Sequence, residues 1–106
     1  MDIGSLIHNM TIFGYIYHTG FYTKLGGYSF LFNKNNDYDD KSGIAFYKII
    51  DKRSVYFGIC IYDKEGKSKE YDSLTTENFH QLFCQLMSAV HDKINLADIN
   101  LELPEN

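Results

Sequence analysis

Apolar residues recur at helical spacing across residues 75–93 and predict the longest helix of the chain. The stripe consists of Phe79, Leu82, Phe83, Leu86, Val90 and Ile94. This spacing places all of its members on one side of an α-helix. Thr75 or Thr76 is suited to cap the first turn, and Asn95 is suited to the left-handed residue that closes the helix. A helix with such a face needs another apolar surface to cover it.

Short strands are predicted over most of residues 11–74, where β-branched and aromatic residues are frequent. Segments 11–18, 21–25 and 28–32 are predicted as strands, although 21–25 also fits a loop. Turns are predicted at Thr19-Gly20 and Gly26-Gly27. Residues 2–9 fit one helical turn, but the stretch is too short to predict a stable helix.

The best-defined hairpin joins residues 44–50 to residues 55–62 through a turn at 51–54. One register brings its apolar residues to a common face, in the pairs Ile50–Val55, Phe46–Ile59 and Ile44–Ile61. Lys48 is the one residue on that face that is not apolar. On the other face the register sets Tyr47 opposite Gly58, where an aromatic ring can cover the bare backbone.

The remaining segments complete an α+β fold. Residues 67–74 are predicted as a polar edge strand whose lysines discourage pairing with other chains. In the tail, residues 97–103, the alternation of Ile99, Leu101 and Leu103 with polar residues predicts an extended segment with one buried side. The prediction is a single domain, residues 1–106, with an antiparallel sheet of four to six strands packed by one long helix in the C-terminal half.

Charge and cysteine usage narrow the class of protein. The 106 residues carry a net charge of −4, and nine of the ten bases are lysines. Because arginine dominates bidentate phosphate and base recognition, nucleic acid is an unlikely partner. The N-terminus reads as neither a secretory signal nor a membrane span, which predicts a cytoplasmic protein. Cys60 and Cys84 then read as reduced, partly buried thiols, with a strand-to-helix disulfide as the alternative.

The predicted helix carries two side chains that are candidates for metal binding or catalysis. His80 and Cys84 lie one turn apart, so they could bind one metal ion or act as base and nucleophile. His91 lies two turns further along, roughly 10 Å from Cys84, and cannot complete the same site. The middle of a half-buried helix also does not lower a thiol pKa. We therefore predict no catalytic residue, metal or cofactor, and interpret the pair as the border of a helix face.

Two further features indicate surfaces for a partner. An acidic loop, residues 33–43, concentrates Asp37, Asp39 and Asp40 around Tyr38. It fails as an EF-hand, which needs glycine at Tyr38 and glutamate at Ile44. The second feature, here called the tyrosine face, is the sheet face opposite the helix, with Tyr47, Tyr56, Tyr62 and Cys60, and with Tyr15 and Tyr17 as a possible extension. The alternative is that the N-terminal segment and the tail cover this face as a second core layer.

These features predict a small acidic interaction protein, not an enzyme, that binds and inhibits another macromolecule. A nuclease or another nucleic-acid-binding protein is the favoured target, because clustered carboxylates resemble a phosphate backbone electrostatically. Bacterial immunity proteins and phage-encoded inhibitors of host defence have this size and class. The predicted partner-binding residues are Asp37, Tyr38, Asp39, Asp40, Tyr47, Tyr56 and Tyr62. Two alternatives remain: a ligand-binding or enzymatic domain with an aromatic pocket near His80 and Cys84, and a homodimer joined through the open sheet face.

Overall fold

A computed structural model describes residues 3–12, 16–22, 27–33 and 42–103. Only the backbone is described for residues 3, 4, 6, 7, 16–22, 27–33 and 49–51. In chain order the elements are α1 (Ile3–Ile12), β1 (Ile16–Tyr22), β2 (Gly27–Asn33), β3 (Gly43–Asp51), β4 (Ser54–Tyr62), β5 (Ser68–Leu74), α2 (Thr76–His91) and a short 3-10 helix (Leu96–Asp98). The strands form one antiparallel sheet in the order β1-β2-β3-β4-β5.

The meander β3-β4-β5 packs against α2, which confirms an α+β arrangement with one helix in the C-terminal half. The apolar stripe of α2 is buried as predicted, at Phe79, Leu82, Phe83, Leu86 and Val90. Its last predicted member, Ile94, lies beyond the helix and is 44% exposed. The facing side of the meander supplies Ile44, Phe46, Ile59 and Ile61 to the same core.

The predicted register of the β3-β4 hairpin is confirmed. Ile50 pairs with Val55, Phe46 with Ile59 and Ile44 with Ile61, and Tyr47 lies opposite Gly58. The two-residue turn between the strands is Lys52-Arg53, with a positive φ of 54° at Lys52. Because side chains alternate along a strand, one correct pair fixes the face of every residue in the hairpin.

The N-terminal third differs from the prediction. Thr11 and Ile12 belong to α1, residues 13–15 lie outside the described residues, and β1 spans Ile16–Tyr22. Thr19 and Gly20, predicted as a turn, lie inside β1 and pair with β2. Phe21 and Tyr22 continue that strand, whereas residues 23–26 lie outside the described part of the chain.

A helical repeat in the sequence explains why the start of the chain forms a helix that extends into the predicted first strand. Ile3, Leu6, Ile7 and Met10 recur at the three- and four-residue spacing of one helix face. Met10 is fully buried in the same core as the α2 stripe. Burial of Met10 favours the helix over the strand preference of the β-branched residues that follow, because tertiary packing routinely overrides intrinsic propensity.

Both ends of α2 are capped by local hydrogen bonds. Thr75 is the N-cap, and its Oγ1 accepts a hydrogen bond from the Asn78 amide at 3.2 Å. At the other end Lys93, with φ of 58°, takes the left-handed position predicted for Asn95. The Ile94 amide donates to the Ala89 carbonyl at 3.0 Å and the Lys93 amide to the Val90 carbonyl at 3.1 Å, the Schellman pattern. Asn95 instead caps the 3-10 helix, accepting from Ala97.

The tail packs beside β5 on the helix side of the sheet. Ile99 and Leu101 are buried as their alternation predicted, but residues 96–98 form a 3-10 helix and Leu103 is 45% exposed. Lys69, predicted as a free edge charge, holds this segment: its Nζ donates to the carbonyls of Ala97 and Ile99 at 2.9 and 3.0 Å and to Asn100 Oδ1 at 3.0 Å. The edge strand is thus bordered by the chain's own tail.

Two further side chains fix the tail. The Leu101 amide donates to the Tyr71 hydroxyl at 3.0 Å. The Gln85 side chain donates to the Glu102 carbonyl at 2.8 Å and accepts from the Glu102 amide at 2.9 Å, so it satisfies both backbone groups of that residue.

Met10 from the N-terminal segment and Ile99 and Leu101 from the tail all belong to the core under α2. The alternative in which the N-terminal segment and the tail cover the tyrosine face is wrong for these residues.

Candidate functional site

The tyrosine face divides into a buried centre and an accessible margin. Tyr47 is 5% exposed, and with Ala45 and Cys60 it forms a second small core cluster on this side of the sheet. Tyr62 packs against the cluster and is partly exposed, whereas Tyr56 is 37% exposed. Of the three predicted contact tyrosines on β3 and β4, Tyr56 and Tyr62 are therefore accessible, whereas Tyr47 is buried.

A β-bulge places Asp72 beside the buried centre of this face. Phe57 pairs with Leu74 but Ile59 pairs with Tyr71, so Asp72 and Ser73 together oppose Gly58. Ser73 has a φ of 55°, the left-handed conformation common in bulged strands. Its amide donates to Asp72 Oδ1 at 2.6 Å.

The Tyr47 side chain spans the middle strand to reach this bulge. Its ring lies directly over the Cα of Gly58, in the space that a Cβ there would occupy. Its hydroxyl donates a hydrogen bond to the Asp72 carboxylate. Burial first, and then the negative charges of Asp72 and Glu70, raise the pKa of Tyr47 well above its ordinary value of 10.0. The phenol is therefore a neutral hydrogen-bond donor at physiological pH.

Cys60 is a structural thiol. It is 1% exposed, and burial raises its pKa while hydrogen bonds with Tyr62 and Ser68 oppose that rise. A thiol with a raised pKa holds little thiolate and is a poor nucleophile. Cys84 is exposed on α2, on the other side of the sheet, and neither cysteine is in a disulfide. The prediction of partial burial is thus wrong for Cys84, which lies at the surface.

In the meander β3-β4-β5, the described charged side chains on the tyrosine face are negative. Glu70 pairs with Cys60 and so projects from the same face, where the Tyr47 hydroxyl also reaches Asp72. Both carboxylate residues are exposed. The two cationic residues within β3, β4 and β5 are Lys48 and Lys69, and their pairing with Phe57 and Ile61 puts them on the helix side. The strands of the meander thus segregate charge, with anions on one face and cations on the other.

The Tyr47–Asp72 link predicts how stability depends on alkaline pH. Below pH 10 the phenol is neutral in both states, so its contribution is complete. Above that value the unfolded chain releases the proton while the folded chain retains it, and the free energy of unfolding falls by about 1.4 kcal/mol per pH unit from this group. The Tyr47→Phe variant lacks this effect and, at neutral pH, is about 1 kcal/mol less stable through the lost hydrogen bond.

Urea denaturation of both proteins between pH 7 and roughly pH 11 checks this linkage. The wild-type advantage at neutral pH should shrink as the pH rises above 10, and can reverse. The other tyrosines and the lysines titrate in both proteins, so they cancel in the difference. A difference that stays constant over this range would contradict the raised pKa of Tyr47.

The second group of candidate residues lies in an open groove between α2 and the tail. The groove has a volume of about 1010 Å³ and is lined by His80, Gln81, Cys84, Gln85, Asn100, Glu102 and Leu103. Cys84 Sγ lies 3.7 Å from His80 Nε2, as the one-turn spacing predicted. His91 instead contacts Asp92, with 3.4 Å between Nδ1 and Oδ1. Within the described residues no three His, Cys, Asp or Glu side chains lie close enough to hold a metal ion together.

Several predicted residues fall outside the described part of the chain. These are Asp37, Tyr38, Asp39 and Asp40 of the acidic loop, and Tyr15. Tyr17 lies on β1, where only the backbone is described. Sequence reasoning did not identify Glu70 and Asp72 as part of the tyrosine face. The signal for Asp72 was the Asp72-Ser73 pair, two turn-forming residues inside a predicted strand, which is typical of a bulge.

No protein-family model, curated protein or solved structure matches this chain. Over the residues that the structure describes, no helix is both long enough and apolar enough to cross a membrane.

Proposed function

We propose that this protein is a small acidic interaction module that binds a basic surface of another protein and blocks it. The observation that carries the proposal is the segregation of charge across the meander. Glu70 and Asp72 accompany the accessible tyrosines on one face, while Lys48 and Lys69 lie on the other. Complementary potential steers association and selects the partner, so a negative face favours a positive target.

The construction of the face suits it to recognition. Tyr56 and Tyr62 offer amphipathic rings, which contribute strongly to protein interfaces. Tyr62 packs against the buried cluster of Tyr47, Cys60 and Ala45, so this part of the contact surface is preorganised. A preorganised surface loses less conformational entropy on binding than a flexible one. The platform in this proposal is the whole five-stranded sheet.

The proposed target is a nuclease or another nucleic-acid-binding protein. Such proteins present clefts lined with cations that bind phosphates, and carboxylates at similar spacing compete for them. The acidic loop, with Asp37, Asp39 and Asp40, is proposed to extend the negative surface of Glu70 and Asp72. Tyr38 within that loop is proposed to add an aromatic contact.

Two matched double variants test the face. Glu70→Gln with Asp72→Asn removes two negative charges from the tyrosine face and keeps the side-chain shapes. Asp92→Asn with Asp98→Asn removes the same charge beyond the end of α2, away from that face. A partner is first captured from the native host on immobilised wild-type protein and purified, and its affinity for each variant is then measured by calorimetry at low and high salt.

We expect the face variant to bind at least about tenfold more weakly, corresponding to about 1.4 kcal/mol, and with a flatter salt dependence. The control variant should bind like the wild type. If the partner is a nuclease, saturating wild-type protein should also stop cleavage. Replacing Asp37, Asp39 and Asp40 by asparagine tests the loop in the same assay. Equal affinity of the face variant and the wild type, or equal losses in both double variants, would contradict a role for this face.

A further inference from the structure

The sequence alone favours His80 and Cys84 as the border of a helix face without a metal. From the observed geometry we propose instead that the two residues form a chelate for a soft divalent metal ion, of which Zn²⁺ is the representative, at the groove between α2 and the tail. The chelate does not depend on the proposed function, because it lies on the other side of the sheet from the tyrosine face. The pair consists of an accessible thiol and an imidazole nitrogen 3.7 Å from its sulfur, and the open groove leaves room for further ligands.

The separation of the two donor atoms fits a single ion. Zinc lies about 2.3 Å from a thiolate sulfur and about 2.0–2.1 Å from an imidazole nitrogen, in tetrahedral geometry. These values place the two donors roughly 3.5 Å apart. Cys84 Sγ and His80 Nε2 are 3.7 Å apart, so the separation of the two donor atoms is close to the one a single ion needs. Thiolate and imidazole together favour zinc over hard ions such as magnesium or calcium.

The regular geometry of α2 brings the two donor side chains together. Residues four apart on an α-helix face the same direction one turn apart. His80 and Cys84 border the buried stripe of α2 and both are exposed, so binding requires no opening of the core. On binding, the thiol releases its proton to solvent and the sulfur donates its electron pair to the metal.

The remaining coordination positions are open to solvent. Because no third His, Cys, Asp or Glu among the described residues lies close enough, water fills the other positions of the ion. The chelate is thus an open, exchangeable site and not a closed structural one.

Cobalt(II) is the probe, because its bond to a thiolate gives a charge-transfer band in the near ultraviolet that zinc lacks. Reduced, metal-free protein is titrated with Co²⁺, and Zn²⁺ is then added in competition. The variants are His80→Ala and Cys84→Ser, with His91→Ala as the matched control on the same helix. Circular dichroism of each variant checks that the fold is retained.

The wild type and His91→Ala should give a saturable band that Zn²⁺ abolishes. Cys84→Ser should give no band although Cys60 remains, and His80→Ala should bind Co²⁺ at least about tenfold more weakly, which is about 1.4 kcal/mol. Zn²⁺ should also raise the melting temperature of the wild type and His91→Ala but not of the other two variants. Absence of the band in the wild type, or an undiminished affinity in folded His80→Ala, would overturn the chelate.

Discussion

Replacing Gly58 by alanine should lower the free energy of unfolding by about 3 kcal/mol, the upper part of the range for overpacked cores. The reason is the Tyr47 ring, which occupies the volume that the new Cβ needs. Tyr47 is itself 5% exposed and bound to Asp72 through its hydroxyl, so it cannot move aside without loss. The backbone of β4 is equally constrained, because it pairs with both β3 and β5.

A double-mutant cycle with Tyr47→Ala isolates this contact. Tyr47→Ala alone should be strongly destabilising, since it removes a buried ring. In that background Gly58→Ala should cost little or even stabilise, because alanine is better than glycine inside a strand. Urea denaturation of the four proteins gives a coupling energy, which we expect to exceed about 2 kcal/mol. If Gly58→Ala costs the same with and without the ring, the close packing of Tyr47 on Gly58 is wrong.

The contact between Tyr47 and Gly58 also explains why the register of the β3-β4 hairpin can be predicted from the sequence. Tyr47 opposite Gly58 and three apolar pairs on the other face are satisfied by one register of the hairpin, and that register is observed. A strand register displaced by one residue would invert every side chain, so a two-faced hairpin specifies its own pairing. The α2 stripe is predictable for a similar reason, because its period is sustained over about three turns.

Features that depend on distant packing were not predicted. α1 has a helical repeat of only four apolar residues, and its stability comes from burying Met10 in a core built by residues far along the chain. The local sequence identifies Lys69 only as a charge on an edge strand. Its hydrogen bonds to the tail depend on Ala97 and Ile99, which lie far along the chain. In both cases the local sequence is ambiguous, and the long-range contact decides the structure.

The candidate site was predictable in its tyrosines but not in its charges. Alternation along β4 places Tyr56, Cys60 and Tyr62 on one face, and the hairpin register adds Tyr47. The bulge at Asp72-Ser73 shifts the register of β5 after Tyr71, so strict alternation cannot place Asp72. Contact between Asp72 and the Tyr47 hydroxyl depends on that shift together with the bare backbone of Gly58.

Replacing Phe46 by alanine should lower the free energy of unfolding by about 4 kcal/mol, as expected for truncating a buried aromatic side chain. Phe46 is 2% exposed and joins β3 to α2 through two rings. Its centroid lies 6.1 Å from that of Phe79, in an edge-on contact, and 5.7 Å from that of Phe83. The cavity left by alanine would remove both aromatic contacts, and a loss of this size is a large share of the stability of a small domain.

Tyr56→Ala is the matched control, since Tyr56 is an aromatic residue of the same hairpin that is 37% exposed. It should cost about 1 kcal/mol or less in urea denaturation, because surface truncations away from the core have small effects. The two variants also separate stability from recognition. Under conditions in which Phe46→Ala stays folded, it should retain affinity for the proposed basic partner, whereas Tyr56→Ala should retain stability and lose affinity. If Phe46→Ala lost affinity while Tyr56→Ala retained it, the interface would lie on the helix side of the sheet.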